Sequence, residues 1–259
     1  MATRSRRVFW ARVWLPFVTA IGLVAAVELL KRVGLLPVYM PAPSEIVTNV
    51  VANPTLISRN LGPTVWRAGT GYAIAALCTV VAASLAVTVR QLYGFVYNFS
   101  VTMHSIPIIA TAPLLALWIG TGEPLQITIA ALACQFPMVV GTIQGLQAAD
   151  ARQRELMEVL SASKFQTLRY LLIPSAMPYL LAGFKIAAPS AVLGAITGEW
   201  AGADRGVGAM MLYALSAYNT PAVWLSVLLT CLLAAIGYGV WALVESLVIV
   251  SSGSVELAE

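Results

Sequence analysis

Residues 68–89, which read AGTGYAIAALCTVVAASLAVTV, form a stretch of 22 residues without a single charge. As an α-helix this stretch would be about 33 Å long, which matches the hydrocarbon thickness of a lipid bilayer. The whole chain has the same character, because 59% of its 259 residues are hydrophobic and only 10% are charged. An average soluble domain is about 25% charged. The composition therefore excludes a soluble globule and a disordered chain, and it predicts an all-α integral membrane protein.

Five further apolar stretches are long enough to cross a membrane, and they are separated by short polar segments. They cover residues 13–30, 98–119, 124–149, 175–199 and 222–248. Because Pro107 and Pro113 lie inside the second of these, we expect a kinked helix there. The predicted fold therefore has about six transmembrane helices in a single domain, residues 1–259.

Shorter helices are predicted outside these spans. Residues 45–53 can form a helix N-capped by Ser44, and residues 209–218 form a short apolar segment that is re-entrant or lies on the surface. The N-terminal run 13–30 resembles the apolar part of a signal peptide, but it is longer than such a region usually is. We therefore expect it to be retained as the first membrane helix.

The distribution of Lys and Arg predicts the orientation of the chain. With the N-terminus inside, nine basic residues fall in inner segments and five in outer segments, and cytoplasmic loops are normally the basic ones. We therefore expect a multi-pass protein with both termini in the cytoplasm. The net charge of +4 has the same origin, and no basic patch indicates a nucleic-acid partner. The three cysteines lie in apolar runs at spacings that favour neither disulfides nor a metal site.

Residues 150–169 break the apolar pattern, since seven of these twenty residues are charged. Residues 152–160 favour a helix with one apolar edge, formed by Leu156, Val159 and Leu160. A turn at 161–163 then leads to a second short helix over 164–173, which Pro174 would close. This segment is either a solvated hairpin between two spans or a docking element for a cytoplasmic partner.

The motifs of this segment resemble the EAA loop of ATP-binding cassette importer permeases. Glu155, Ala162, Ser163 and Pro174 match that pattern, whereas Ser161 stands at its glycine position, and Leu and Met replace its two alanines. The resemblance continues over about residues 36–248. It is carried by the segments MPAPSE (40–45), SIP (105–107), APLLALWIG (112–120), FP (136–137), GL (145–146), GEWAGA (198–203) and GVG (206–208). The branch that the chain is most similar to contains the permeases for nitrate, sulfonates, taurine and thiamine-type pyrimidine precursors.

This resemblance implies a type I ABC importer permease fold, with a core of about 63–250 in the cell inner membrane. It implies that residues 150–173 form a coupling loop that sits in a cleft of a separate ATPase subunit. The coupling residues would be Glu155, Glu158, Ser161, Ala162, Ser163 and Pro174. For Glu158, plain solvation is the alternative to pairing with a basic partner residue.

The resemblance also implies the partners of the chain. They would be a dimer of the ATPase, a second permease copy in a homodimer, and an extracytoplasmic solute-binding protein. ATP and Mg²⁺ would be held by the ATPase, because this chain has no GxxxxGK[ST] phosphate loop. The chain itself is then not an enzyme and holds no cofactor or metal.

Polar residues inside the spans are candidates for the translocation path. They are His104, Ser105, Gln135 and Glu199. His104 could equally be a hydrogen-bonded packing residue, and Glu199 could bond to backbone amides of the loop 202–208 rather than act as a gate. Residues 198–200, Gly-Glu-Trp, look more like the pyrimidine-precursor and riboflavin-type permeases than the sulfonate ones.

Two other classes of function compete with the importer permease. A secondary transporter would show paired repeats with interrupted helices, which the sequence lacks, and it would give the charged loop no role. An intramembrane enzyme would need a catalytic pair inside the spans, where one His and no Asp are available.

Overall fold

The computed structural model describes residues 18–88 and 92–251, and these residues contain helices and loops but no strand. Residues 18–32 form the described part of α1. The remaining helices are α2 (Pro43–Ala52), α3 (Pro54–Thr88), α4 (Leu92–Ser105), α5 (Ile108–Ile119), α6 (Glu123–Gln147), α7 (Ala151–Val159), α8 (Lys164–Thr167), α9 (Ile173–Trp200), α10 (Val207–Ser216) and α11 (Thr220–Ser251).

Four helices in the described part of the chain are long and apolar enough to cross a membrane. They cover Pro54–Val87, Glu123–Gln147, Lys164–Trp200 and Thr220–Val248, and a fifth span is added if the bent pair of α4 and α5 counts as one. The first predicted span, 13–30, begins outside the described residues. The all-α membrane fold is therefore confirmed, with apolar runs producing the long helices.

The kinked helix expected over 98–119 is wrong, because α4 and α5 are two helices that meet at 98°. Pro107 has no N–H to continue α4 and restricts Ile106 to extended backbone, so Pro107 becomes the N-cap of α5. Tyr93 of α4 packs near Ile143 towards the end of α6, whereas Ala112 of α5 packs against Leu125 near its start. The pair therefore follows the whole length of α6 as one broken span.

Pro174 does not close a second loop helix as predicted. It is the second residue of α9, and α8 and α9 join through a π-helical turn, Leu168–Leu172, into one run of 37 residues. The ring of a helical proline collides with the carbonyl four residues earlier. The wider π turn directly before Pro174 relieves this collision, so the helix continues.

The start of α2 also differs from the prediction. The helix begins at Pro43 and its N-cap is Ala42, whose N–H donates to the Glu45 carboxylate at 3.1 Å. Ser44 instead donates its hydroxyl and its backbone N–H to the Glu28 carboxylate, at 2.9 and 3.1 Å. Ser44 therefore ties α2 to α1 rather than capping it.

Helices α6 and α9 form the central pair of the molecule, with α3 packed on both and α11 on α9. Small residues let the two backbones touch. A Cβ atom on Gly141 would lie 2.7 Å from the carbonyl oxygen of Tyr179, and one on Gly145 would lie 2.8 Å from that of Ala176. The spacing of Gly141 and Gly145 in the sequence, which permits close helix approach, thus serves the contact with α9.

Candidate functional site

The predicted coupling loop, residues 150–173, lies at one end of the helix pair α6–α9, which we call the loop end. Asp150 caps α7 by accepting a hydrogen bond from the N–H of Arg152 at 3.1 Å. After α7 the chain turns at Ser161, whose φ of +52° is in the left-handed region. The N–H of Ala162 donates back to the carbonyl of Met157 at 2.9 Å. The predicted turn is confirmed, and it uses a conformation that favours glycine.

Ser163 begins the next helix through a capping box. Its N–H donates to the side-chain oxygen of Gln166 at 2.7 Å, and its hydroxyl accepts from the N–H of Gln166 at 3.2 Å. These two bonds satisfy amides that would otherwise be unpaired at the start of α8. The two helices of the loop are therefore held at a defined angle by residues 161–163.

The loop is also fixed to the ends of the two central helices. Met157 and Leu168 pack on a cluster that contains Leu146 of α6 and Leu172. The guanidinium of Arg154 donates to the carbonyl oxygen of Leu146 at 2.9 Å, at the end of α6. The loop is thus attached by packing and by a hydrogen bond to the adjoining ends of α6 and α9.

An apolar patch on the loop has no partner within the described part of the chain. It consists of Leu156, Val159 and Leu160, whose exposed fractions are 57, 81 and 66%. Glu155 and Glu158 are also exposed, and no ion pair to either is found among the described residues. Contiguous exposed apolar patches commonly mark interaction sites, so this surface is suited to contact with another protein.

The opposite end of α9, the far end, carries a buried carboxylate. Glu199 is 1% exposed, and it accepts hydrogen bonds from Thr64 Oγ1 at 2.7 Å, Arg67 Nη1 at 2.8 Å and the N–H of Gly208 at 2.7 Å. Arg67 also donates to the carbonyl of Arg205 at 2.6 Å. The carboxylate thereby joins α3, α9 and the start of α10.

Sequence reasoning foresaw only part of this network. The sequence allows a bond from Glu199 to an amide of the loop 202–208 as an alternative to a gating role, and the structure contains this bond at Gly208. Thr64 and Arg67 were missed, because they lie more than 130 residues before Glu199 in the chain. A signal was present, since Arg67 directly precedes the apolar stretch 68–89 and could be buried beside a carboxylate.

His104 lies at the break between α4 and α5, where it lines a cavity of about 330 Å³. Its ring is stacked on that of Phe136 of α6, with centroids 4.2 Å apart and planes at 9°. Thr111, Ser190 and Thr197 supply the other polar side chains of this cavity. We call this the break cavity.

The structure does not gather the four candidate path residues in one place. Ser105 is exposed beside the break, where its hydroxyl donates to the carbonyl of Val101 at 2.8 Å, and it is not among the lining residues of the break cavity. Gln135 is half-buried on α6, next to Phe136. Glu199 belongs to the network at the far end.

A second charged pair joins two spans. Lys185 of α9 forms an ion pair with Glu245 of α11, and the ring centroid of Tyr238 lies 5.6 Å from the Lys185 ammonium. Lys185 is the single basic residue of the predicted span 175–199, and the sequence did not predict its partner. Pairing is the usual state of a charged group at membrane depth.

Comparisons with known proteins agree with this architecture. Residues 75–250 match the family described as "Binding-protein-dependent transport system inner membrane component". The chain is 30% identical over 203 residues to the formylaminopyrimidine transport permease protein of Halalkalibacterium halodurans. The alignment covers 78% of this chain and 81% of that protein.

The names of two further relatives mention other solutes. The chain is 29% identical over 146 residues to the riboflavin transport system permease protein of Chloroflexus aurantiacus, covering 56% of this chain and 54% of that protein. It is 24% identical over 185 residues to the taurine transport system permease protein of Escherichia coli, covering 68% and 66%.

Family membership makes the chain a permease component of a transport system. In general it implies an ATPase and a solute-binding protein as partners, and a position across a membrane with several passes. With more than half of its length matched, the chain belongs to the family of binding-protein-dependent transport system inner membrane components, the permeases of ATP-binding cassette importers.

Proposed function

We propose that this permease moves a small organic or anionic solute through the cell inner membrane, receives it from an extracytoplasmic binding protein, and is driven by a separate ATPase dimer. The chain pairs with a second copy of itself, and both termini are cytoplasmic. ATP and Mg²⁺ are bound by the ATPase subunits. The solute belongs to the nitrate, sulfonate and taurine group or to the pyrimidine-precursor and riboflavin group, as the names of the relatives suggest.

The observation that carries this proposal is the unpartnered apolar patch on the helix α7, which directly precedes a single long helix in the chain. From Lys164 to Trp200 the helix runs for 37 residues, about 55 Å at 1.5 Å per residue. One end adjoins the patch, and the other end holds Glu199 in the network at the far end. A displacement of the loop by an ATPase is therefore passed along one continuous helix to the opposite side.

The proposed coupling residues have distinct tasks in this arrangement. Glu155 and Glu158 offer free carboxylates to basic groups of an ATPase cleft, and Ser161–Ser163 hold the angle between the two loop helices. Pro174 lies where the loop becomes the span. A secondary transporter, the alternative, would leave the apolar patch exposed without a function.

Replacing Val159 by Asp tests the proposal. The side chain is 81% exposed, so an added charge leaves the fold intact but introduces an unpaired carboxylate into the docking surface. We expect the V159D permease to lose co-purification with its co-expressed ATPase and to lose ATP-driven solute uptake. Val159→Thr is the matched control, because it keeps the shape without the charge, and it should bind the ATPase nearly as wild type does.

Deletion of residues 152–165 is the second variant, which should lose association with the co-expressed ATPase because it removes the whole docking surface. A secondary transporter would retain uptake in V159D, and its uptake would respond to an ion gradient rather than to ATP. Unchanged association of V159D with the ATPase, at wild-type levels of folded permease, would contradict the proposed docking surface.

A further inference from the structure

We infer that the break cavity is a solute site of this permease, and that it takes a neutral planar nitrogen heterocycle in preference to an anion. The inference rests on the proposed function and narrows the class of solute. It is carried by the shape of the cavity, by the direction of its hydrogen bonds and by the absence of lining charge.

The cavity is formed because one span is broken. At Pro107 the chain turns by 98° between α4 and α5, and the space inside this bend faces α6 and α9. The cavity is closed on the side of α6 and α9, where the two helices pack closely: a Cβ atom on Gly194 of α9 would lie only 2.6 Å from the Cβ of Ala133 on α6. The volume of about 330 Å³ lies at the lower end of the range for small-molecule sites.

The hydroxyl groups of the cavity act as acceptors towards a ligand. Thr111, Ser190 and Thr197 each donate their hydroxyl proton to a backbone carbonyl of their own helix, at 2.7, 3.3 and 2.9 Å. A hydroxyl that has used its proton still offers oxygen lone pairs. While these bonds are kept, the three hydroxyls can only accept from a ligand, so they suit amino or ring N–H groups better than the oxygens of a sulfonate or a nitrate.

The cavity also lacks a fixed counter-charge. Among its lining residues that the structure describes there is no Lys, Arg, Asp or Glu. An anion taken from water into an apolar site needs such a partner, because an unpaired charge is costly there. His104 is the single lining group that can become charged, and its ring lies on Phe136.

The walls favour a flat ligand. Apolar side chains of α4, α5, α6 and α9 make up most of the lining, including Met103, Leu132 and Leu193. The His104 ring, which is stacked on Phe136 behind it, adds an aromatic group to the lining, and imidazole nitrogens can both donate and accept. An aminopyrimidine, with N–H donors, ring-nitrogen acceptors and a planar ring, satisfies all of these groups.

Binding of radiolabelled formylaminopyrimidine to the full chain in lipid nanodiscs, with and without its ATPase, tests this inference. Taurine is the competing zwitterion that carries a sulfonate. We expect saturable binding that a large excess of taurine does not displace. Thr197→Val removes an acceptor at constant shape, and His104→Phe keeps a ring on Phe136 but removes the nitrogens. Each should weaken binding about three- to tenfold, the effect of one hydrogen bond.

Thr230→Val is the matched control. Thr230 is also a half-buried threonine on a span, and its hydroxyl donates to the carbonyl of Ser226 at 2.8 Å, but it does not line the cavity. This variant should bind as wild type. The melting temperature of each variant is measured alongside its affinity, so that a folding defect is recognised.

Displacement by taurine, no saturable binding in the wild type, or wild-type affinity in both Thr197→Val and His104→Phe would each overturn the inference. The proposed function is judged separately by co-purification of the ATPase. An ATPase that binds a permease without pyrimidine affinity would leave the proposed function standing, whereas pyrimidine binding without any ATPase association would refute the proposed coupling alone.

Discussion

At the scale of single residues, Glu199 shows how a buried charge can be accommodated near the end of a span. Its two oxygens receive a hydroxyl, a guanidinium and a backbone amide. A carboxylate buried in this way is stable only while these donors remain in place. The Arg67 guanidinium depends on it equally, since Arg67 is 8% exposed.

Glu199→Gln should destabilise the folded permease, because it leaves the buried charge of Arg67 without a counter-charge. Loss of one partner of a buried pair typically costs about 3–5 kcal/mol. Thermal unfolding in detergent measures the effect as a lower melting temperature. In the double variant Glu199→Gln with Arg67→Met, the loss should be smaller than the sum of the two single losses. Additive losses would mean that the two groups do not interact.

Ser161 offers the opposite case, in which a substitution should stabilise. Its φ of +52° strains a residue that has a Cβ atom, at a cost of about 1–2 kcal/mol that glycine avoids. Ser161→Gly should therefore slow hydrogen exchange of the Ala162 amide, which closes the turn on Met157. Faster exchange in the glycine variant would show that the Ser161 side chain itself holds the turn.

At the scale of helices, the contact between α6 and α9 depends on missing side chains. Gly141→Ala places a Cβ atom 2.7 Å from the Tyr179 carbonyl oxygen, and such overpacking typically costs about 1–3 kcal/mol. We expect a clear fall in melting temperature. Gly239→Ala is the control on α11, where no atom beyond the chain neighbours and adjacent backbone of its own helix lies within 4 Å of the new Cβ. It should leave the melting temperature unchanged or raise it, since alanine favours helix; an equal fall in both variants would contradict the close-contact argument.

The helices also show what sequence can and cannot predict. The spans over 124–149, 175–199 and 222–248 follow from uninterrupted apolar runs and lie within α6, α9 and α11, give or take a few residues at the ends. Proline was the main source of error. Pro107 separates two helices while Pro174 lies inside a continuous one, and the outcome depends on whether the preceding turn can widen, as Leu168–Leu172 does. That depends on tertiary packing, which local sequence does not contain.

The candidate site was less predictable than the fold. The turn at 161–163 and the apolar edge at Leu156 are local features, and the sequence predicted both. The pairs Arg67–Glu199 and Lys185–Glu245 link residues 132 and 60 positions apart. Single charges in apolar surroundings predict that a partner exists, but only the packing of the helices shows which one it is.

At the scale of the whole molecule, Lys185 and Glu245 hold α11 to the central pair. Lys185→Glu alone should destabilise the permease, because two carboxylates would then face each other at membrane depth. The double exchange, Lys185→Glu with Glu245→Lys, should reverse most of the decrease in melting temperature. Failure of the exchanged pair to recover any stability would show that the surroundings, including Tyr238, accept only one arrangement of charge.

The bare backbone contact between α6 and α9 has a consequence for how the molecule can move. Backbone atoms of the partner helix occupy the space that a Cβ would need at Gly141, Gly145 and Gly198, so sliding of one helix along the other would bring backbone and side-chain atoms into collision. The two helices behave as one body, from the coupling loop to the far end. Alternation between two access states therefore has to be hinged at the edges of this body, where α5 and α11 contact it, because α3 also lies against the α6 backbone at Gly71.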